Sequence, residues 1–427
     1  MDPIVKPGDV LELVRGHVGW RSACLNLVAA ETRMSDTVRG FLSCDLAQRY
    51  ADYSGRDLAA HKYQGVKFIE ELERMAVSLA QTLFDARYVE LRPTSGHVAG
   101  NAVIMALTAP GDVVFEMGSD AGAHRLATKL TTSPLVQLDV RFLPFNTADY
   151  NVDVTAATEV IRAAKPKLVI LGTSNMLFPL PVAQLAPVVH ETPGAVLAFD
   201  ASHVMGLLAA RRFQDPLREG ADLVFGSTHK TLPAPNGGVI FTNSEALIQR
   251  VSSVVYPGLV SNHHPARLPG LAMALLEMQR FGAAYADQII ANARALGVTL
   301  TQLEIPIIGA AQGFTCSHTL VAQAKEFGGS ALAAARLEEC NIIVTRTSLP
   351  KALGEQGIRF GLQELTRLGA TETDMPAVAR LIAEALQQRA PRQELVDQVG
   401  ALSRRFQEVH FCFSQMEDSW HGSTAVS

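Results

Sequence analysis

Between residues 85 and 242, short apolar runs alternate with stretches whose apolar residues recur three and four apart. The runs at 88–91, 113–117, 168–171, 196–199, 223–225 and 238–241 predict strands, and the periodic stretches at 98–107, 154–164 and 182–190 predict helices among them. Asp153 stands where a capping side chain would open the second helix. Strands that are apolar at nearly every position, interleaved with helices, imply a mostly parallel sheet covered on both faces. Ligands of such sheets sit at the carboxyl ends of the strands, so chemistry is expected in the residues just after each strand.

Beyond the sheet the pattern changes. A long amphipathic helix is predicted over 270–297, then an apolar pair at 320–321, a helix over 330–340, strands at 342–345 and 357–361, and a helix from 371 to about 388. Thr371-Glu-Thr-Asp374 has capping-box character at the start of the last helix. The chain thus divides into an N-terminal arm with an active-site loop over 1–80, a large domain over 81–295, and a small α+β domain over 296–427.

Composition narrows the partners. The chain of 427 residues is 48% hydrophobic, which excludes a disordered or collagenous protein. With 37 basic against 42 acidic residues it has no electrostatic footprint for nucleic acid. Five scattered cysteines with no C-x-x-C pair point to reduced thiols in the cytoplasm, with no metal site. The start, Met-Asp-Pro-Ile-Val-Lys-Pro, is unlike a signal peptide, and no apolar stretch reaches about 18 residues, so a soluble protein without membrane contact is expected.

Four strand ends carry candidate chemistry. Lys230, in Gly226-Ser-Thr-His-Lys230, follows the strand at 223–225 and is placed to form a Schiff base with an aldehyde cofactor. Asp200, in Asp200-Ala-Ser-His203, ends the strand at 196–199; an acid there needs a partner, and a protonated pyridine nitrogen is one. Thr94-Ser95-Gly96-His97 opens a helix after the first strand, where backbone amides and hydroxyls suit a phosphate. His124 lies beyond the strand at 113–117, where an imidazole could stack on a planar ring. Taken singly, these residues also read as a solvated lysine, a capping aspartate, an ordinary N-cap and a packed histidine. Together, in the chain order phosphate cradle, stacking histidine, acid and lysine, each after its own strand, they form the layout of a pyridoxal-phosphate enzyme.

The chain resembles the serine hydroxymethyltransferase family of fold-type I pyridoxal-phosphate enzymes, in its archaeal-type branch and the related threonine aldolases and transaldolases. The matching stretches are Asn26-Leu-Val-Ala-Ala-Glu31, Arg49-Tyr-Ala-Asp52, Tyr63-Gln-Gly65, Pro93-Thr-Ser-Gly-His-Val-Ala99, Asp200-Ala-Ser-His203, Ser227-Thr-His-Lys-Thr231, Tyr256-Pro-Gly-Leu-Val-Ser-Asn-His-His264 and Ile358-Arg-Phe-Gly361. The resemblance implies an α/β large domain with a mostly parallel seven-stranded sheet between helices, and a small α+β C-terminal domain. It makes Lys230 the Schiff-base lysine, ordered by His229, with Asp200 on the pyridine nitrogen and His203 near the ring O3′. His124 would stack on the ring, Ser95, Gly96 and His97 would hold the phosphate, and Ser174 and Ser227 would complete the cofactor site. Arg359 would grip the substrate carboxylate, with Ala30 and Tyr63 on the substrate side. Tyr50 and Asn262 match elements that reach a neighbouring subunit's cofactor, which implies a homodimer or a dimer of dimers.

The implied reaction makes or breaks the Cα–Cβ bond of a β-hydroxy-α-amino acid. One form is hydroxymethyl transfer from serine or an α-methylserine to tetrahydrofolate or a related pterin. The other is a threonine aldolase or transaldolase of specialised metabolism, passing a glycyl unit to another aldehyde. Three departures from the family bear on this choice. Ala30 stands where the family has a carboxylate-binding serine, beside Thr32 for asparagine. Asp52 replaces a proton-handling glutamate, one methylene longer. The loop at 53–62 lacks the usual Pro-Gly and is about three residues longer than the family's, which reads either as changed recognition or as neutral loop drift.

Overall fold

The computed structural model describes residues 5–413; residues 1–4 and 414–427, the outer ends of the arm and of the C-terminal segment, lie outside the described residues. All six apolar runs form strands of one seven-stranded sheet, in the order Tyr88–Glu90, Gly238–Thr242, Leu223–Ser227, Val196–Asp200, Leu168–Leu171, Val113–Glu116, Asp139–Phe142. Gly238–Thr242 runs antiparallel to both its neighbours, and the other adjacent pairs are parallel. Successive side chains point to opposite faces. Val169, Leu171, Leu197 and Phe199 therefore join one apolar cluster while Leu168, Ile170, Val196 and Ala198 join another. Burial of both faces is the physical reason these strands read as unbroken apolar runs.

Asp139–Phe142 carries no such signal. It is an edge strand beside Val113–Glu116, three of its four residues are exposed, and Asp139 and Arg141 pair with each other at 2.6 Å. Having one strand neighbour and little core contact, it needs no apolar run.

Helices form at Gly96–Leu107, Val154–Ala164 and Val182–His190, and the Asp153 carboxylate accepts from the Ala156 N–H at 3.0 Å as a cap. The long helix spans Arg267–Gln302, 36 residues and about 54 Å at 1.5 Å per residue. Leu271, Leu275, Met278 and Ile289 pack in the cluster on one sheet face, whereas Ala293, Leu296 and Leu300 pack with Leu320, Phe360 and Ile382 in a separate cluster.

That second cluster draws on both chain ends. Leu25–Asn26 pairs parallel with Ile342–Ile343, and Leu25 and Leu27 are fully buried in it. The single strand expected over 342–345 is thus two: Ile342–Ile343 pairs with the N-terminal segment, and Thr345–Ser348 joins Gln356–Gly361 and Thr319–Gln323 in a three-stranded antiparallel sheet. The helix expected from 371 opens as a 3-10 turn, Glu372–Asp374, with the Thr371–Asp374 capping box formed, and continues as Met375–Gln387. Among the described residues no helix is long and apolar enough to cross a membrane, and no cluster of side chains could hold a metal ion.

A buried ion pair fixes the segment after residue 50 to the sheet. Arg92 meets Glu90 at 2.6 Å with both side chains at most 3% exposed, and also donates to the carbonyls of Tyr53 at 3.2 Å and Gly55 at 2.9 Å. Removing one member of such a pair leaves an uncompensated buried charge, a loss of about 3–5 kcal/mol. Arg92→Met is expected to lower the urea unfolding midpoint by a corresponding amount. The double variant Arg92→Met/Glu90→Gln should recover part of it, and an unchanged midpoint in the single variant would show that the pair contributes no stability.

Candidate active site

The strand ends converge on a cavity of about 220 Å³ lined by Ser95, Gly96, His97, His124, Thr173, Ser174, Asp200, Ser202, His203, Ser227, His229 and Lys230, with Leu126. Ten of these are residues singled out from the sequence. They meet because five strands of the sheet end at the same edge and each turn after a strand contributes one or two side chains. A larger cavity of about 410 Å³ lies by Arg21, Glu31, Arg33 and Glu364, far in sequence from the strand ends and without a lysine. Volume therefore does not single out the site; chemistry does.

At the centre, Lys230 Nζ lies 3.1 Å from His203 Nε2. Burial pulls the Lys230 ammonium down to about 8, with Asp200 opposing and Arg359 adding to the fall. His203 is held well below the usual imidazole range, first by burial and then by Lys230. A neutral His203 accepts the Lys230 N–H at Nε2, so Nδ1 carries the hydrogen, and Nδ1 is buried without a partner. His229 is likewise pulled down to about 4 by burial, and its Nδ1 also lacks a partner.

The anion end is a helix start. Ser95 Oγ caps the helix Gly96–Leu107 by accepting from the Val98 N–H at 3.1 Å. A Cβ on Gly96 would come within 2.3 Å of Ser227 Oγ, so glycine lets the helix terminus nest against the end of the strand Leu223–Ser227. His97 Nδ1 lies 3.2 Å from His124 Nε2, and Lys129 Nζ lies 3.1 Å from His124 Nδ1. Burial and then Lys129 draw His124 down to about 4, so it offers a neutral ring. Asp200 Oδ1 accepts from the Ser202 N–H at 2.9 Å.

Arg359, on the strand Gln356–Gly361, stands beside this cavity. Its Nη1 donates to the Ser174 carbonyl at 2.7 Å, while its Nε is buried and has no partner. The Nε donor of the guanidinium thus lacks a protein partner, as in a fork whose remaining donors can take a carboxylate through two parallel hydrogen bonds. Ala30 lies in a segment tied to the same sheet: Gln363 Nε2 donates to the Val28 carbonyl at 2.8 Å, and His318 Nε2 lies 3.1 Å from the Ala29 carbonyl.

The remaining sequence candidates are not brought to the cavity within this chain. Tyr50 and Tyr63 are exposed and pack on each other with ring centroids 5.3 Å apart. Asn262 Oδ1 accepts from the His264 N–H at 2.8 Å. Asp52 is buried with Oδ1 unpartnered, and burial raises its carboxyl against the pull of His263, Lys62, Arg92 and His61. The loop at 53–62 is built rather than loose. Tyr53 bridges to His61, its hydroxyl donates to Glu73 Oε1 at 2.6 Å, and Glu73 Oε2 in turn lies 3.2 Å from His263 Nε2.

Sequence reasoning missed Thr173, Ser202, Asn175 and His318. Thr173 and Asn175 were open to discovery because they follow the strand Leu168–Leu171 as Ser174 does. His318 precedes a buried strand and carried no local signal.

The model of the serine hydroxymethyltransferase family matches residues 6–382. The chain belongs to the serine hydroxymethyltransferase family. It is 37% identical over 418 residues to the serine hydroxymethyltransferase of Archaeoglobus fulgidus, covering 97% of this chain and 94% of that one. It is 39% identical over 411 residues to that of Staphylothermus marinus, covering 95% and 93%. The crystal structure of an L-threonine transaldolase from Pseudomonas fluorescens, in its internal aldimine state, is similar with a TM-score of 0.89 at 28% identity, covering 96% of this chain and 95% of that one. The family member described here is a pyridoxal-phosphate-dependent enzyme of the hydroxymethyltransferase and aldolase type.

The residues fit that cofactor. The cavity combines an amine able to lose its proton near neutrality, a carboxylate, a neutral ring and buried donors without partners. A helix N-terminus supplies the anion end. Titration of Lys230 should be measurable on the apoenzyme. Modification by an amine-directed reagent is expected to rise with a midpoint near pH 8, and Asp200→Asn should shift that midpoint down, because a negative charge that favours the ammonium is lost. A midpoint near 10 in the parent would contradict the site's desolvation.

Proposed function

We propose that this enzyme reversibly cleaves the Cα–Cβ bond of serine or an α-methylserine-type substrate and passes the one-carbon unit to a tetrahydropterin. The reading is carried by Lys230, a buried amine 3.1 Å from His203 in a cavity shared with Asp200, near the unpartnered Nε of Arg359. Bound pyridoxal phosphate supplies an electron sink for the charge left at Cα. Lys230 binds the cofactor aldehyde and, at about 8, exchanges protons readily near neutrality. Asp200 holds a proton on the cofactor's ring nitrogen, and His203, kept neutral by burial, accepts a hydrogen bond at Nε2 and donates from Nδ1. Ser95, Gly96 and His97, with Ser174 and Ser227, orient the cofactor, and the neutral His124 ring stacks on it. Arg359 clamps the substrate carboxylate and so sets which bond at Cα stands where it can break. The full-length similarity to serine hydroxymethyltransferases supports hydroxymethyl transfer in particular.

A second reading is glycyl transfer from threonine to another aldehyde. It is favoured by Ala30, which has no hydroxyl for the carboxylate, by Asp52, whose shorter side chain is buried, and by the anchored loop at 53–62. A paired assay separates the two. Tetrahydrofolate-dependent glycine formation from serine is expected to exceed acetaldehyde release from threonine, whereas folate-independent acetaldehyde release, raised by a second aldehyde, would reverse the assignment. Lys230→Ala should abolish both.

The reading includes a cytoplasmic homodimer. Helix Pro7–Ser22 buries none of its residues and exposes Val10, Leu11, Leu13, Val14 and Val18, and Tyr50 and Tyr63 also face outward. An apolar stripe of that size suits a second subunit, to whose site Tyr50 and Asn262 would contribute. Sedimentation equilibrium is expected to return a multiple of the subunit mass; a monomer at micromolar concentration would reject the shared site.

A further inference from the structure

The loop after the strand Leu168–Leu171 joins three parts of the site at one side chain. Asn175 is fully buried, and its Nδ2 donates to Tyr150 Oη at 3.2 Å. The Thr347 hydroxyl lies 2.8 Å from Asn175 Nδ2 and 3.0 Å from its Oδ1, so it accepts from one and donates to the other. Thr347 sits on Thr345–Ser348, the strand paired with the one that carries Arg359. One residue before Asn175, the Ser174 carbonyl holds Arg359 Nη1 at 2.7 Å.

On the opposite side the same loop grips the turn that bears His124. The Ser174 N–H donates to the Gly122 carbonyl at 3.0 Å, and Thr173 Oγ1 donates to the Ala121 carbonyl at 2.5 Å. Gly122 has φ +72° and a Cβ there would lie 2.2 Å from Asn175 Nδ2, so the amide packs directly against that turn. Arg359 itself has no acidic partner among the described residues. The hydrogen bond that orients its side chain goes to the Ser174 carbonyl, and the amide next to that carbonyl is the loop's side-chain tie to the strand beside Arg359.

From this geometry we infer that Asn175, through Thr347, is the positioning residue that keeps the Arg359 fork open for the substrate carboxylate and couples it to the cofactor-stacking turn. The inference rests on Arg359 being the carboxylate clamp. Without the amide bridge the Ser174 carbonyl stays tied to the turn at 121–122 but loses its link to the strand beside Arg359, and a bidentate site loses its geometry over displacements of about 1 Å. The effect belongs to ligands with a carboxylate. An amine that lacks one engages Lys230 and the cofactor pocket without touching the fork.

The test measures binding to the holoenzyme by calorimetry, with glycine and with ethanolamine. Thr347→Val, isosteric but without the hydroxyl, is expected to weaken glycine about tenfold and leave ethanolamine within twofold of the parent. Thr347→Ser, which restores the hydroxyl, should return glycine affinity to within twofold. Asn175→Ala should weaken glycine at least as much as Thr347→Val, and where it fails to fold the threonine pair carries the test. Arg359→Lys is the control on the clamp. If Arg359→Lys weakens glycine and Thr347→Val does not, the coupling is wrong and the clamp stands; if neither does, both fall. Equal loss of glycine and ethanolamine in Thr347→Val would mark the bridge as general support and overturn the inference.

Discussion

The site depends on keeping one amine out of water. Lys230 occupies a cavity where burial disfavours its ammonium form, and among the described residues the opposing influence is Asp200, a carboxylate at the end of the adjacent strand. Were the lysine solvated, it would remain protonated and unable to attack an aldehyde near neutral pH. Were it buried without Asp200 near it, no charge among the described residues would offset the positive field of Arg359. The balance requires both strands to end at the same height, which the parallel register of Asp200 with Phe225 provides.

Around that centre the protein is organised as supports that cross between segments far apart in sequence. Gln363 and His318 tie the segment at 28–31 to the three-stranded sheet, and Ser174 ties Arg359 to the turn after Leu168–Leu171. Glu73 joins Tyr53 to His263, and Arg92 holds the carbonyls of Tyr53 and Gly55. Each is a polar side chain buried against a backbone or charged partner. A group so buried is costly unless satisfied, so each contact specifies a position as well as adding stability.

These supports give the family departures a physical setting. The first residue of the loop at 53–62 is buried and bonded to Glu73, so the loop's conformation is specified by the body of the protein. Asp52 is held next to that anchor with one oxygen unpartnered. The stretch is therefore a shaped surface with Tyr50 and Tyr63 exposed on it, held apart from Lys230.

The residue pattern by itself determined six of the seven strands of the large sheet, three of its helices and the four strand-end groups. Strands buried on both faces must be apolar throughout, and the chemistry of a parallel sheet collects at one edge, so Ser95, His124, Asp200 and Lys230 were legible one after another. The motif match added Arg359 and the family. The edge strand Asp139–Phe142 and the split at 342–348 were not legible, because a half-exposed strand needs no apolar run and a change of partner leaves no periodic trace. Asn175, His318 and the Tyr53–Glu73–His263 chain were decided by tertiary structure alone. Their roles consist in whom they touch, across separations of 20 to 289 residues, and no local spacing records such a contact.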